Sequence, residues 1–142
     1  MPLTALALIT CLQTFEHPFD PAQMCRDAFR FLRPGGAVLF VGHNRRSISA
    51  RIMRQKSPIF DVEHLQLFSL DSARRLVSEA GFVNVEVGRL LNRYPIGYWT
   101  KLLPLPLAMK RTLIGLLNAS RVSRLAMTLP AGNLFAIGYK PS

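Results

Sequence analysis

The sequence predicts an α/β fold, and three observations carry that prediction. An almost continuously apolar run, Leu3–Leu12, leads into a helix start at Asp20-Pro21. A short apolar strand, Ala37–Val41, follows that helix. A second capped helix, opened at Ser69, then leads into an alternating strand at Phe82–Val87. Strand, helix, strand, helix, strand is the order of a largely parallel sheet with right-handed crossovers.

Each element has a local reason. Leu3–Leu12 is too uniformly apolar for a one-sided strand and reads as a parallel strand covered on both faces. Asp20 is a good N-cap, Pro21 suits the first helical position, and Gln23 stands where it can complete a capping box. Cys25, Ala28, Phe29 and Leu32 then form one apolar stripe, Arg26, Asp27, Arg30 and Arg33 face outward, and Pro34-Gly35-Gly36 ends the helix. In the second helix Ala73, Leu76, Val77 and Ala80 form the stripe and Gly81 the stop. In Phe82–Val87, Val83, Val85 and Val87 share one face. Pro95, Pro104 and Pro106 break the leucine-rich segment 94–129, of which Met109–Leu117 is expected to be helical. Leu134–Ile137 reads as a last strand that closes the sheet. One domain is expected from 142 residues, with core elements over 1–93, a helical cap or insertion over 94–129 and the final strand within 130–142.

The charge is unevenly placed. Eighteen Lys and Arg against eight Asp and Glu give a formal +10, yet all eight acids lie between Glu16 and Glu86. Residues 87–142 carry eight basic residues and no acid, so this part suggests an anionic partner surface. No nucleic-acid motif accompanies the scattered basic residues, which makes nucleic acid the least favoured partner. Cys11 and Cys25 sit inside apolar patterns without metal or redox spacing, and read as small core hydrophobes in a reducing compartment. The N-terminus has no basic n-region, and no uniformly apolar run is long enough to span a membrane, so a cytoplasmic protein is expected, with peripheral membrane attachment as the alternative.

The motifs point further. Glu16-His17 and Asp20-Pro21 follow the first strand, and Leu32-Arg33-Pro34-Gly35-Gly36 precedes the second. His64-Leu65-Gln66-Leu67-Phe68-Ser69 opens the next helix, and Ala80-Gly81-Phe82 closes it. In this order they resemble the second half of class I, Rossmann-like, S-adenosylmethionine-dependent methyltransferases of the type 11 and type 23 kind. The resemblance covers about residues 5–87, with a weaker echo in GNLFAIGYKP. Gln66-Leu67 departs from the aromatic residue usual there. The resemblance implies a sheet ordered 3-2-1-4-5-7-6, of which this chain holds strands four to seven with flanking helices in three layers. The glycine-rich cofactor loop of the family has no counterpart, because no Gly-x-Gly occurs anywhere in the sequence. Leu3–Leu12 is therefore expected to form an exposed apolar edge, available to an N-terminal half, a second copy of the chain or another partner.

The resemblance also distributes roles. It implies that Gln13, Thr14 and Phe15 lie beside the methionine and sulfonium part of the cofactor, with Glu16 and His17 facing the methyl-transfer site. A plainer alternative is that Glu16 and His17 only hydrogen-bond loop backbone. All three histidines, His17, His43 and His64, fall near the carboxyl ends of the strands, and a base is often needed for methyl transfer to oxygen or nitrogen. His17 is expected first in that role and His64 second, with Glu16 beside them. His43, Asn44, Arg45 and Arg46 open the loop RRSISARIMRQK, where the family carries its substrate-covering insertion. They are read as substrate-binding, with a solvated basic face as the alternative. A metal site built from His17, His43, His64 and Asp61 lacks ligand spacing and is not expected.

The function implied is methyl transfer from S-adenosylmethionine to a small or lipid-like acceptor, by a truncated or split methyltransferase inactive on its own. The alternative is a non-enzymatic module in which the basic, leucine-rich part of residues 87–142 binds a membrane or a protein.

Overall fold

The structure, a computed structural model, describes residues 6–53, 64–103 and 105–142. It contains β1 (Leu6–Leu12), α1 (Pro21–Phe31), β2 (Leu32–His43), α2 (Ile48–Met53), α3 (Leu70–Glu79), β3 (Val83–Pro95), α4 (Ile96–Leu102), α5 (Leu107–Ala119), a 3₁₀ turn at Val122–Arg124 and β4 (Ala126–Tyr139). The strands form one sheet in the order β1-β2-β4-β3, with β1 parallel and β4 antiparallel to β2. That order is the 4-5-7-6 part of the sheet the resemblance implies. Two compact units divide the chain, residues 1–90 with 132–142, and residues 91–131.

In the first unit α1 starts as its sequence requires. Asp20 Oδ1 accepts from the Gln23 backbone N–H at 2.8 Å, and Pro21 occupies the first turn. The capping box is not completed: the Gln23 side chain donates to Asp27 and accepts from Arg26 instead. Charged partners one turn along the helix outcompete the backbone N–H behind it. The helix also ends earlier than its apolar stripe suggests. Leu32 is already extended, at φ −73° and ψ 141°, and pairs with Leu6. Arg33 precedes Pro34 and is disfavoured in the helical region, so the chain leaves the helix before the Pro-Gly-Gly turn. Lys140 closes this end, its Nζ donating to the Phe29 and Leu32 carbonyls at 2.8 Å each while lying over the Phe29 ring.

The capping of α3 follows expectation: Ser69 and Ser72 cap each other reciprocally, and Gly81 turns the chain at φ 102°. Cys25 and Ala28 of α1, Ala73 and Val77 of α3, Val38 and Phe40 of β2, and Leu134 and Ala136 of β4 belong to one buried cluster. Phe29 meets Phe82 edge-on within it, at 5.1 Å between centroids. Their alternation along β2 and β4 puts these residues on one face of the sheet.

The first strand departs from its expected burial. Ile9 and Cys11 pack against the core, but Leu8 and Leu12 are 55% and 58% exposed. β1 is the sheet edge among the described residues, so its uniform apolarity leaves an uncovered side rather than two covered faces.

In the second unit, Thr100 Oγ1 donates back to the Ile96 carbonyl within α4, and Trp99 Nε1 donates to the Met127 carbonyl at 2.9 Å. Tyr94 lies against both Tyr98 and Trp99. α5 buries none of its side chains, and Leu107 and Leu116 are each 65% exposed.

Candidate active site

The carboxyl ends of the parallel strands β1 and β2 form a rim, and the chain leaves β1 there by a sharp turn. Gln13 takes φ 53°, and its backbone N–H donates to the Val41 carbonyl at 2.8 Å. Gln13 and Thr14 are left exposed on the rim, while Phe15 turns inward and is fully buried. Its ring is stacked between Phe40 at 4.6 Å and Phe68 at 4.3 Å. Phe15 is therefore a packing residue, which the resemblance had put beside a ligand. Burial of its ring anchors the turn that presents the next two residues.

Glu16 is also fully buried, with 0% exposure, and points at the end of β2. Its Oε1 accepts two hydrogen bonds from one residue, from the His43 backbone N–H and from His43 Nδ1, the latter at 2.7 Å. Its Oε2 is buried without a hydrogen-bond partner among the described residues. Burial, the largest single influence, would raise the Glu16 pKa, but the hydrogen bonds from the His43 side chain and backbone, together with smaller contributions from Glu16's own backbone and the electrostatic influence of His43, hold the carboxyl below its ordinary range. The carboxylate fits only because residue 42 is glycine: a Cβ there would lie 2.7 Å from Oε1 and 3.0 Å from Cδ. The plainer alternative for Glu16, a bond to loop backbone, thus describes half of what it does. The other half is a bond to an imidazole.

The three histidines gather beside this carboxylate. The His64 ring lies between the other two, 5.1 Å from His17 and 4.9 Å from His43, centroid to centroid. His64 is brought there by the segment that follows it. The Gln66 backbone N–H donates to the Glu16 carbonyl, and its side-chain amide to the Phe19 carbonyl. Phe68 forms a parallel bridge with Asn44 and accepts from the Arg45 N–H at 2.8 Å. Among the described residues no three His, Cys, Asp or Glu are placed to hold a metal ion, and Asp61 lies outside the described residues.

The loop after β2 separates the four residues read as substrate-binding. His43 belongs to the imidazole cluster. Asn44 is buried, donates from its backbone to the Gly132 carbonyl and accepts from the Arg46 N–H, so it shapes the loop. Arg45 is exposed, and Arg46 pairs with Asp71 at 2.9 Å on an open surface. Arg54 and Lys56 lie outside the described residues. Gly42 was not singled out by sequence, and Gln66 and Phe68 only as members of a motif, without a role at the site. The available signal was the glycine one residue before the histidine that ends β2, a position where a buried strand has no use for flexibility.

Comparison with known proteins assigns the family. The sequence profile described as a Methyltransferase domain matches residues 3–87. The chain belongs to this methyltransferase family. Ubiquinone biosynthesis O-methyltransferase of Pseudomonas fluorescens is 45% identical over 38 residues, which are 27% of this chain and 16% of that protein. Among solved structures, an S-adenosylmethionine-dependent methyltransferase of Thermotoga maritima, described as a possible histamine N-methyltransferase, superposes with a TM-score of 0.61 at 16% identity. It covers 96% of this chain and 56% of its own. A methyltransferase-like protein of Bacillus halodurans superposes with a TM-score of 0.59 at 17% identity, over 100% of this chain and 68% of its own. At such identities the likeness is one of fold, and it supports the class I methyltransferase architecture. The chain spans a little over half the length of the first of these structures and a sixth of the curated relative.

Proposed function

We propose that the chain forms the acceptor-side wall of an S-adenosylmethionine-dependent methyltransferase acting on a small or lipid-like molecule. The observation that carries this reading is the imidazole cluster at the carboxyl ends of β1 and β2, where open α/β sheets bind their ligands. S-adenosylmethionine, when bound, supplies an electrophilic methyl carbon on a sulfonium. The residues present fit one flank of that cofactor: Gln13 and Thr14 are polar, exposed and at the end of β1. The histidines fit the acceptor side, where a hydroxyl or amine must lose a proton as it is methylated. A Haemonchus contortus phosphoethanolamine N-methyltransferase, solved with phosphomonomethylethanolamine and S-adenosylhomocysteine, shares the fold with a TM-score of 0.52 at 14% identity. The ligand of that protein supports the reading of a small acceptor here.

No Gly-x-Gly occurs in the sequence, and β1 presents Leu6, Leu8 and Leu12 on an open edge. The cofactor site is accordingly completed across that edge by an N-terminal half, a second copy or another partner, and the chain by itself is inactive. Calorimetric titration of the purified chain with S-adenosylmethionine and S-adenosylhomocysteine, alongside sedimentation at tens of micromolar, tests this. Weak or absent binding by a folded monomer, and saturable binding once the edge is paired, is the expected pair of results. Tight binding by the isolated monomer would refute completion across the edge. No binding in any assembled form would refute the methyltransferase reading.

A second reading rests on residues 91–131. This unit carries six basic residues and no acid, with Leu107 and Leu116 largely exposed on α5. It suits peripheral attachment to an anionic membrane. Among the described residues no helix is long and apolar enough to cross one. Cosedimentation with phosphatidylglycerol vesicles, lost at high salt and absent with phosphatidylcholine, is expected; absence from both would remove this reading.

A further inference from the structure

We infer that Glu16 and His43 form a carboxylate–imidazole dyad in which His43 Nε2 takes the acceptor's proton and Glu16 is the positioning residue. The inference rests on the methyltransferase reading and deepens it, because it selects one imidazole among three.

Four observations carry it. The Glu16 carboxylate is fully buried and cannot swing away, and the same oxygen that meets His43 Nδ1 at 2.7 Å also accepts from the backbone N–H of His43. Ring and backbone of one residue are thereby fixed to one anchor. An ionised carboxylate can only accept, so Nδ1 must carry the hydrogen, and the neutral ring is left with a bare Nε2 as its acceptor. Nε2 is the nitrogen remote from Glu16, and the His43 side chain keeps 24% of its surface accessible at the rim. Finally, the buried Oε2 has no hydrogen-bond partner among the described residues, and Gly42 gives up a side chain to admit the carboxylate. Burying a carboxylate with one oxygen unpartnered carries a desolvation cost that a leucine of similar size would not, so packing does not account for it. Local conflicts of this kind gather at functional sites.

The proton balance is simple. The acceptor oxygen or nitrogen bonds to the methyl carbon, the carbon–sulfur electron pair stays on sulfur, and the acceptor proton passes to Nε2. The imidazolium then faces the Glu16 carboxylate and returns its proton to solvent through the accessible edge of the ring. The logic is that of a base oriented by a buried carboxylate behind it. Among the described residues, the groups facing His43 are Glu16 from the turn after β1 and His64 from the segment before α3, with His17 beyond His64.

The test begins with the tautomer, which needs no turnover. Long-range ¹H–¹⁵N spectra of the imidazoles in the folded chain are expected to show His43 protonated on Nδ1 and bare on Nε2 at neutral pH. Glu16→Leu, which leaves an apolar side chain in a buried site, is expected to release it to a mixture of tautomers. A wild-type His43 protonated on Nε2 would overturn the dyad whatever the activity. In the assembled form that transfers methyl groups, His43→Ala is expected to lose about 10²–10⁴-fold in kcat with KM little changed, and added imidazole to restore part of it. His43→Ala turning over at the wild-type rate, or His17→Ala losing as much and being the variant that imidazole rescues, would place the base elsewhere. A complete absence of methyl transfer in every assembly refutes the functional reading, while the tautomer spectra still decide whether the dyad exists. Circular dichroism melts of each variant identify losses that come from unfolding.

Discussion

Replacing Gly42 by alanine tests the geometry on which the site depends. The added Cβ would sit 2.7 Å from Glu16 Oε1, 3.0 Å from Cδ and 3.2 Å from Oε2. Contacts this short are ordinarily relieved by moving a flexible side chain, but Glu16 is fully buried and tied to His43 by two hydrogen bonds. The carboxylate must shift and strain those bonds, or β2 must shift and strain the sheet. Overpacking a core costs about 1–3 kcal/mol, and weakening hydrogen bonds to a charged group about 1.5–3 kcal/mol, so a loss of roughly 2–5 kcal/mol is expected. At about 2–4 °C per kcal/mol for a chain of this size, the thermal midpoint should fall on the order of 10 °C. The assay is a double-mutant cycle by urea denaturation, with Glu16→Ala as the second change. Without the carboxylate the three atoms nearest to the added methyl are gone, and alanine in place of a strand glycine should then be neutral or favourable by about 0.5–1 kcal/mol. Additive effects in the cycle would refute the claim that Gly42 exists to admit Glu16.

Three further outcomes are expected. Because the folded Glu16 pKa lies below its ordinary 4.5, the stability it confers is present above that value and is lost as pH falls through the folded pKa; urea midpoints of wild type and Glu16→Gln should therefore converge as pH drops below about 4.5, and a constant gap would contradict this. Burial pushes the Cys25 thiol up to about 12, so at pH 8 a maleimide should label it only after unfolding, and rapid labelling in the native state would show the α1 face to be open. Lys140→Met removes two charge-assisted hydrogen bonds from the end of α1 while keeping much of the chain packing on Phe29; a loss of about 1.5–3 kcal/mol in urea denaturation is expected, and a neutral change would mean that solvent satisfies those carbonyls equally well.

The sequence alone determined the four strands and the helices α1, α3 and α5 in their order, while α2 and α4 were not legible in it. Helix starts were legible because capping is local: Asp20-Pro21 and Ser69 act within one turn, and both helices begin where these residues stand. The family and its sheet order were legible because four short motifs keep their succession along the chain. Helix α1 ended before its apolar stripe did, because the restriction imposed by Pro34 acts backwards on its neighbours and competes with periodicity.

The tertiary structure decided which residues meet. Nothing in QTFEHP says that Phe15 turns in and is clamped between Phe40 and Phe68, and that this clamp also buries Glu16. Glu16 and His43 are 27 positions apart, and their pairing depends on β1 and β2 lying parallel in a fixed register. His64 is brought to them by the segment that follows it, through the bonds made by Gln66 and the bridge between Phe68 and Asn44. The adjacent Glu16 and His17 suggested one unit facing a ligand, yet the turn closed by the His17 N–H on the Thr14 carbonyl buries Glu16 fully and His17 only in part, so one entered the core and the other stayed at the rim. Propensity and capping are interactions between near neighbours and are written in the sequence. A site is made of contacts between distant segments, and their geometry exists only once the sheet has formed.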